Sequence, residues 1–433
     1  MIPQANLMVL AQVAAGKRDD LENLLRSMTD KPGRADPENA VVPFGRLEGL
    51  HFARLVILDD QTLDDITTAY KMPRTSYPIY LAFLCDFDGP QDVFLATLIN
   101  CSGPGLRRIF EHCEGFTTDT DLLTWIEAHN QTPATSYVNW RGRTMHQVRE
   151  EKALQDALQK YLGANTSLSQ MPLRDLHDEL RKFALSEQRA GRLSLTPEPS
   201  TALGWEIGNI VNLIGVPLVL LVLTPFLLLY APIFIIQLRR RERTDMEIAP
   251  RPNPQWASKL AEMEDFDVTN QFSAMGSLKP GIFRRWTLSY ILWIIDYTTR
   301  HIFNRGKLAR VTTIHFARWV FLDDKKRLFF ASNYDGSLDS YMDDFINKVA
   351  FGLNVVFSNG IGYPTTNWLI LDGAKDEQKF KYFIRRHELP SQVFYNGHPG
   401  LTAVNLQRNS LIRKGLENPA MTDSELQQWA QLL

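Results

Sequence analysis

The stretch HFARLVILDD at residues 51–60 returns as HFARWVFLDD at residues 315–324, with eight of ten positions identical. Each copy is a short apolar run rich in β-formers, bounded by a carboxylate pair (Asp59-Asp60, then Asp323-Asp324), and so reads as a buried strand. Outward from this pair the correspondence continues in order. Phe87-Asp88-Gly89 answers to Tyr334-Asp335-Gly336, Phe110 to Phe357, and Gly115-Phe116 to Gly362-Tyr363. Pro133 and Asn139 match Pro390 and Asn396. The offset falls from 264 to 247 after the first block, so the first half carries 17 extra residues over 61–78. A second insertion, around 364–376, belongs to the other half. An ordered series of this kind marks a tandem duplication.

In each half a strand, a Gly/Lys turn and a helix precede the repeated strand: NLMVLAQVAAGKRDDLENLLRSM in the first, NQFSAMGSLKPGIFRRWTLSYILWIIDY in the second. Adding the repeated strand, its partner strand and the next helix and strand gives the order β-α-β-β-α-β, trailed by further helix, strand and helix. The expected fold class is therefore α+β, with tandem ferredoxin-like (βαββαβ) copies whose bare sheet faces cover one another about a pseudo-twofold axis. Expected boundaries are a first copy at 1–164 and a linker at 165–204. A membrane segment with a basic flank comes next at 205–243, and a second linker at 244–268. The second copy spans 269–415 and a C-terminal helix 416–433.

Between Glu206 and Arg239 no side chain carries a charge. Residues 210–234, IVNLIGVPLVLLVLTPFLLLYAPIF, exceed the roughly 20 apolar residues that cross a bilayer. Pro217, Pro225 and Pro232 divide this stretch into arms too short to span, which predicts a re-entrant hairpin that keeps both copies on one side. The cluster Arg239-Arg240-Arg241-Glu242-Arg243 assigns that side to the cytoplasm and can touch anionic headgroups. Residues 284–303, with mixed Trp, Tyr and Arg, read as a second, interfacial contact. A net charge of −2 supplies no basic field for nucleic acid. Three cysteines without CxxC spacing fit a reducing compartment, and the N-terminus reads as a strand rather than a signal peptide.

The candidate chemistry lies on the repeated strands. His51 and His315 supply imidazoles for a ligand or general-base role, and alternation places each with the neighbouring alanine. Arg54 and Arg318 are expected to pair with Asp59, Asp60, Asp323 and Asp324, or to meet an anionic ligand. Asp88 and Asp335 precede glycines that open a helix, where Asp-Gly makes a turn. His398, in the strand-end loop NGHPG, and His387 are candidates for holding a cofactor in the second copy; the equivalent loop of the first is NWRGR. No zinc spacing, phosphate loop or nucleophile elbow is present in the sequence, and no metal is expected.

The strand-Gly-Lys-helix opening and the βαββαβ order, over residues 5–162 and 270–413, resemble the dimeric α/β-barrel superfamily. That group includes antibiotic-biosynthesis-type monooxygenases, chlorite dismutases and dye-decolourising peroxidases. The peroxidases carry a GxxDG motif whose Asp works on peroxide beside haem; here the sequence reads CDFDG and SNYDG, with Cys85 and Ser332 in place of the first glycine. The resemblance implies haem as cofactor and oxidative chemistry, with Asp88 and Asp335 in the acid–base role. The expected function is a membrane-anchored protein binding a hydrophobic small molecule, a lipid-derived substrate or haem, as an oligomer or alone. If it is an enzyme, it is an oxidoreductase. The alternative is a non-catalytic membrane-associated scaffold that recruits a partner.

Overall fold

The computed structural model describes residues 2–433. The first half runs β1 (Gln4–Gln12), α1 (Arg18–Arg26), β2 (Thr29–Lys31), β3 (Gly33–Ala35), β4 (Leu50–Leu58), α2 (Asp65–Tyr70), β5 (Tyr80–Asp88), α3 (Gln91–Phe110), α4 (Leu122–His129), β6 (Thr135–Val138), α5 (Met145–Ala164) and α6 (Leu173–Arg189). α7 (Leu203–Glu242) and α8 (Pro254–Ala261) lead to the second half. It comprises β7 (Thr269–Ser277), α9 (Ile282–His301), β8 (Ile314–Leu322), β9 (Arg327–Asp335), α10 (Leu338–Phe357), β10 (Thr366–Asn367), β11 (Leu371–Asp372), α11 (Glu377–His387), β12 (Ser391–Asn396), α12 (Ala403–Glu417) and α13 (Asp423–Ala430).

The architecture is mixed α+β. A six-stranded mixed sheet has the order β1-β5-β4-β12-β3-β2, and a four-stranded antiparallel sheet the order β6-β8-β9-β7. The repeated strands β4 and β8 are buried along nearly their whole length. Sequence order predicts that each half completes its own sheet, but the last strand of each pairs in the other's. β12 lies antiparallel to β4, and β6 lies antiparallel to β8. Polarity patterns set which face a strand buries; they do not say which neighbour satisfies its backbone, so an exchange between near-identical edges leaves no trace in sequence.

Alternation along β4 sorts its side chains. Ala53, Leu55 and Ile57 join α1, α3 and α4 in one core, while Val56 and Leu58 meet Val320, Leu322 and Phe329 of the other sheet. The sheets thus pack face to face. A second core lies between the four-stranded sheet and α9, α10 and α11. α5 and α12, each opened by a capping box (Thr144 with Gln147, Thr402 with Asn405), pack with α6 and α13 in a helical cluster.

α7 is one continuous helix through Pro217, Pro225 and Pro232, about 60 Å long at 1.5 Å per residue. The expected hairpin turn does not form. Each proline forfeits one backbone bond, whereas a turn would strip several, with no polar side chain nearby to replace them; Thr224 Oγ1 instead donates to the Leu220 carbonyl at 2.8 Å. Among the described residues, α7 is the one helix long and apolar enough to cross a membrane.

Both of its ends are fastened to α9, which runs antiparallel to it. At the start, Arg300 Nε donates to Asn209 Oδ1 at 2.8 Å, His301 Nε2 meets Asn212 Oδ1 at 2.8 Å, and Tyr297 donates to the Leu213 carbonyl at 3.1 Å. At the far end Phe234 and Arg241 pack on Phe283, at 5.2 and 4.6 Å. Between these anchors residues 221–230 are exposed on every side.

Candidate functional site

Both repeated histidines occupy a β-bulge. In the first sheet the register with β5 shifts between Leu50 and Phe52, and in the second the register with β9 shifts between Ile314 and Phe316. The extra residue is His51 in one and His315 in the other. A bulge re-aims its side chain, so the expectation that each histidine shares its alanine's face is corrected. The two rings turn to the gap between the sheets: His51 lies 5.4 Å from Phe316, and His315 lies 5.4 Å from Phe52. Phe52 and Phe316 meet edge to face at 5.8 Å.

Each imidazole is held by a carboxylate that nothing in the sequence places beside it. His51 Nε2 donates to Asp88 Oδ1 at 3.0 Å, and His315 Nε2 to Asp335 Oδ1 at 2.7 Å. The other oxygen of each carboxylate accepts the first backbone N–H of a distant helix: Met145 of α5 at 2.8 Å, and Ala403 of α12 at 2.7 Å. Asp335 also takes a bond from Thr269 Oγ1 at 3.0 Å. Helix N-termini favour negative charge, so each aspartate ties a strand bulge to the start of a helix. The nearer helix of the second half is capped by Ser337 instead.

His398 completes the cluster. Its ring stacks on His315 at 5.3 Å and meets Phe52 edge-on at 4.9 Å, with His51 at 6.2 Å. Gly397 makes this approach possible, since a Cβ there would lie 2.4 Å from the Leu50 carbonyl oxygen. Burial, followed by repulsion from His315 and His51, holds His398 well below the usual histidine range. The predicted loop 139–143 closes the other side: Asn139, Trp140 and Arg143 line a cavity of about 30 Å³ with the three histidines. That is space for one water.

A haem does not fit here. The cavity beside the three imidazoles is too small for it. Among the described residues no group of three His, Cys, Asp or Glu side chains is arranged to hold a metal ion. His387 stands apart from the cluster: it packs on Phe383 at 4.1 Å, with Nδ1 bonded to the Phe383 carbonyl at 2.8 Å.

The arginines are also reassigned. Arg54 donates to the Phe272 and Ser332 carbonyls, both at 2.8 Å, and to Ser273 and Asn333. Arg318 donates to the Leu7 and Cys85 carbonyls, at 2.8 and 3.1 Å, and pairs with Asp86. Neither meets the strand-end carboxylates they were expected to pair with. Asp59 serves Arg18, while Asp60 and Asp323 serve Arg327. The reason is direction: Arg54 and Arg318 point across the gap from mid-strand, and the carboxylates lie beyond the strand ends.

Sequence reasoning missed Asp86, although it stands in the quoted CDFDG; two residues from Asp88, it shares that residue's alternation. It also missed two carboxylates at the base of α7. Glu242, 3% exposed, pairs with Arg239 and accepts from Thr366 Oγ1, Trp368 N and Leu369 N at 3.2, 3.1 and 2.7 Å. Asp245 accepts from Lys279 Nζ at 2.7 Å, from Tyr70 OH at 3.2 Å and from Arg284. Their signal was position, as the first acids beyond the apolar run. Tyr70 and Trp368 belong to the two insertions that distinguish the halves, so both insertions converge on this corner. No family model, curated protein or solved structure matches the chain.

Proposed function

We propose that this chain is a membrane-surface platform: two ferredoxin-like halves, paired sheet to sheet about a pseudo-twofold axis, held on the cytoplasmic face by α7 and serving recruitment rather than catalysis. The observation that carries this reading is the attachment of both ends of α7 to one helix, α9, while its apolar middle stands clear of the protein. A helix apolar on every side belongs in lipid or in a core, and residues 221–230 have no core around them. Because its ends are held by the same body, α7 enters one leaflet lengthwise and leaves both halves on one side.

The remaining features support a structural role for the central residues. His51, His315, Asp88 and Asp335 spend their hydrogen bonds on joining strands to helices, and Arg54 and Arg318 spend theirs on joining sheets. The rival reading, oxidative chemistry on haem or a hydrophobic small molecule, finds no room at the histidines.

Topology tests the platform. In a Cys101→Ser background, Lys17→Cys in the first half and Glu377→Cys in the second should both be shielded from a membrane-impermeant maleimide in intact cells and both be labelled in inverted vesicles. Opposite accessibility of the two positions would end the reading, as would release of the protein from membranes by carbonate.

A further inference from the structure

We infer that the cavity between the α9 N-terminus and the β8–β9 turn binds the phosphate of an anionic phospholipid headgroup, an assignment that rests on the membrane-surface reading. The cavity measures about 230 Å³, and four cations line it: Lys279, Arg285, Lys325 and Lys326. No carboxylate lines it. The acids adjoining lining residues are already engaged: Asp245 by Lys279 and Arg284, Asp323 by Arg327 and Tyr80, Asp64 by Arg74 and Asp65 by Arg386. Asp324, next in the turn, is exposed and outside the lining.

Two of the four cations are uncommitted. Among the described residues Arg285 and Lys326 have no ion pair and no side-chain hydrogen bond, whereas Lys325 donates to Ser289 and lies over the Trp286 ring. The helix end adds to the field. α9 has 20 residues, starts at Ile282 after Gly281, which supplies no side-chain cap, and has no acidic residue in its first turn. Gly281 and Arg285 of this helix start line the cavity, so the positive end of the helix dipole lies at its wall.

Position decides between a lipid and a soluble anion. Phe283, in the first turn of α9, is the residue on which Phe234 and Arg241 of α7 rest, so the cavity adjoins the point where the apolar run gives way to arginines. Beside it Ile282 and Trp286 are 66% and 69% exposed. An apolar side chain and an indole next to uncommitted cations suit the level of lipid glycerol and phosphate. The first insertion closes the outer wall with Met72 and Tyr77, which gives that insertion a purpose at this corner.

The test uses the full chain in detergent, titrated with phosphatidylglycerol or phosphatidylcholine and read by native mass spectrometry, with flotation on phosphatidylcholine vesicles as a separate measure of membrane attachment. Phosphatidylglycerol should be retained in preference. The preference should fall about fivefold for each cation removed, hence about 25-fold in Arg285→Gln/Lys326→Gln. Arg285→Lys/Lys326→Arg should keep it, and flotation should be unchanged in both variants. Equal retention of the two lipids by the native chain, with flotation intact, would overturn the headgroup site alone. Failure to float would overturn the platform reading beneath it. Displacement of phosphatidylglycerol by inorganic phosphate at matching concentration would overturn the lipid as the source of the anion.

Discussion

Arg54 and Arg318 exchange sheets: each leaves its own strand and donates to backbone carbonyls of the opposite one. The exchange is reciprocal in geometry but not in charge. Arg318 has Asp86, while the matching position beside Arg54 is Asn333. Two buried guanidiniums therefore share one carboxylate, with Asn333 bridging to it at 3.3 Å. Burial pulls the Arg54 pKa down, and Asp86 opposes the shift. Asp86→Asn leaves two cations between the sheets with no anion and should cost about 3 to 5 kcal/mol of unfolding free energy. Adding Asn333→Asp to that variant should restore much of the loss, since the carboxylate returns within reach of Arg54. Denaturant unfolding of the single and double variants measures both. A double variant no more stable than the single would show that the centre is held by the carbonyl contacts alone.

The paired aspartates give a differential prediction. Asp88 and Asp335 each join a bulged histidine to a helix start, but Asp335 carries one more partner, Thr269. Hydrogen bonds to a charged acceptor contribute about 1.5 to 3 kcal/mol apiece, and part of each survives in the amide. Asp335→Asn should thus destabilise more than Asp88→Asn, by roughly one such bond. Thermal unfolding of the two variants side by side decides it. Equal losses would mean that Thr269 contributes nothing.

The α+β class and the two matching strands were legible because repetition and apolar runs are written along the chain. The meeting of His51, His315 and His398 was not legible, since sequence reasoning pairs His398 with His387. What was hidden depended on partners distant in sequence. The exchange of β6 and β12 turns on which edge a strand finds, and the aim of His51 and His315 on a one-residue bulge. The fate of Arg54 turned on which way its side chain points from mid-strand rather than on the nearest carboxylate in sequence. For α7, three prolines read as breaks, yet each forfeits one backbone bond, whereas a turn within an apolar run would leave several unpaired.

His398 predicts how the molecule responds to acid. It is buried, faces His315 and His51 with Arg149 as the further charged group acting on it, and has no hydrogen bond on either ring nitrogen. Its folded pKa is depressed below the unfolded value of about 6.5, so the unfolded chain binds the extra proton. Stability from this group is intact above pH 6.5 and declines as pH falls below it, by up to about 1.4 kcal/mol per pH unit until the folded pKa is reached. His387, also depressed by burial, adds to the trend from elsewhere in the fold. In His398→Phe the unfolding midpoint should depend less steeply on pH between about 6.5 and 5 than in the native chain. Parallel profiles would place the acid sensitivity at other groups.

Glu242 should control the second insertion without controlling the fold. Trp368 and Leu369 sit at φ of 55° and 65°, a conformation that costs a non-glycine residue about 1 to 3 kcal/mol, and both donate their backbone N–H to this carboxylate. Nothing in the two-residue strands β10 and β11 is strong enough to hold such a turn alone. In Glu242→Ala the acceptor is gone and the turn should relax, releasing Trp368, Ile370 and Leu371, which are already 50%, 44% and 44% exposed. Hydrogen exchange at Trp368 and Leu369 should then accelerate by an order of magnitude or more, the equivalent of about 1.4 kcal/mol or greater. Exchange along β8, whose bonds lie in the central sheet, should stay as it was. Unchanged protection at Trp368 and Leu369 would show that the apolar contacts of the insertion, and not Glu242, fix it to the base of α7.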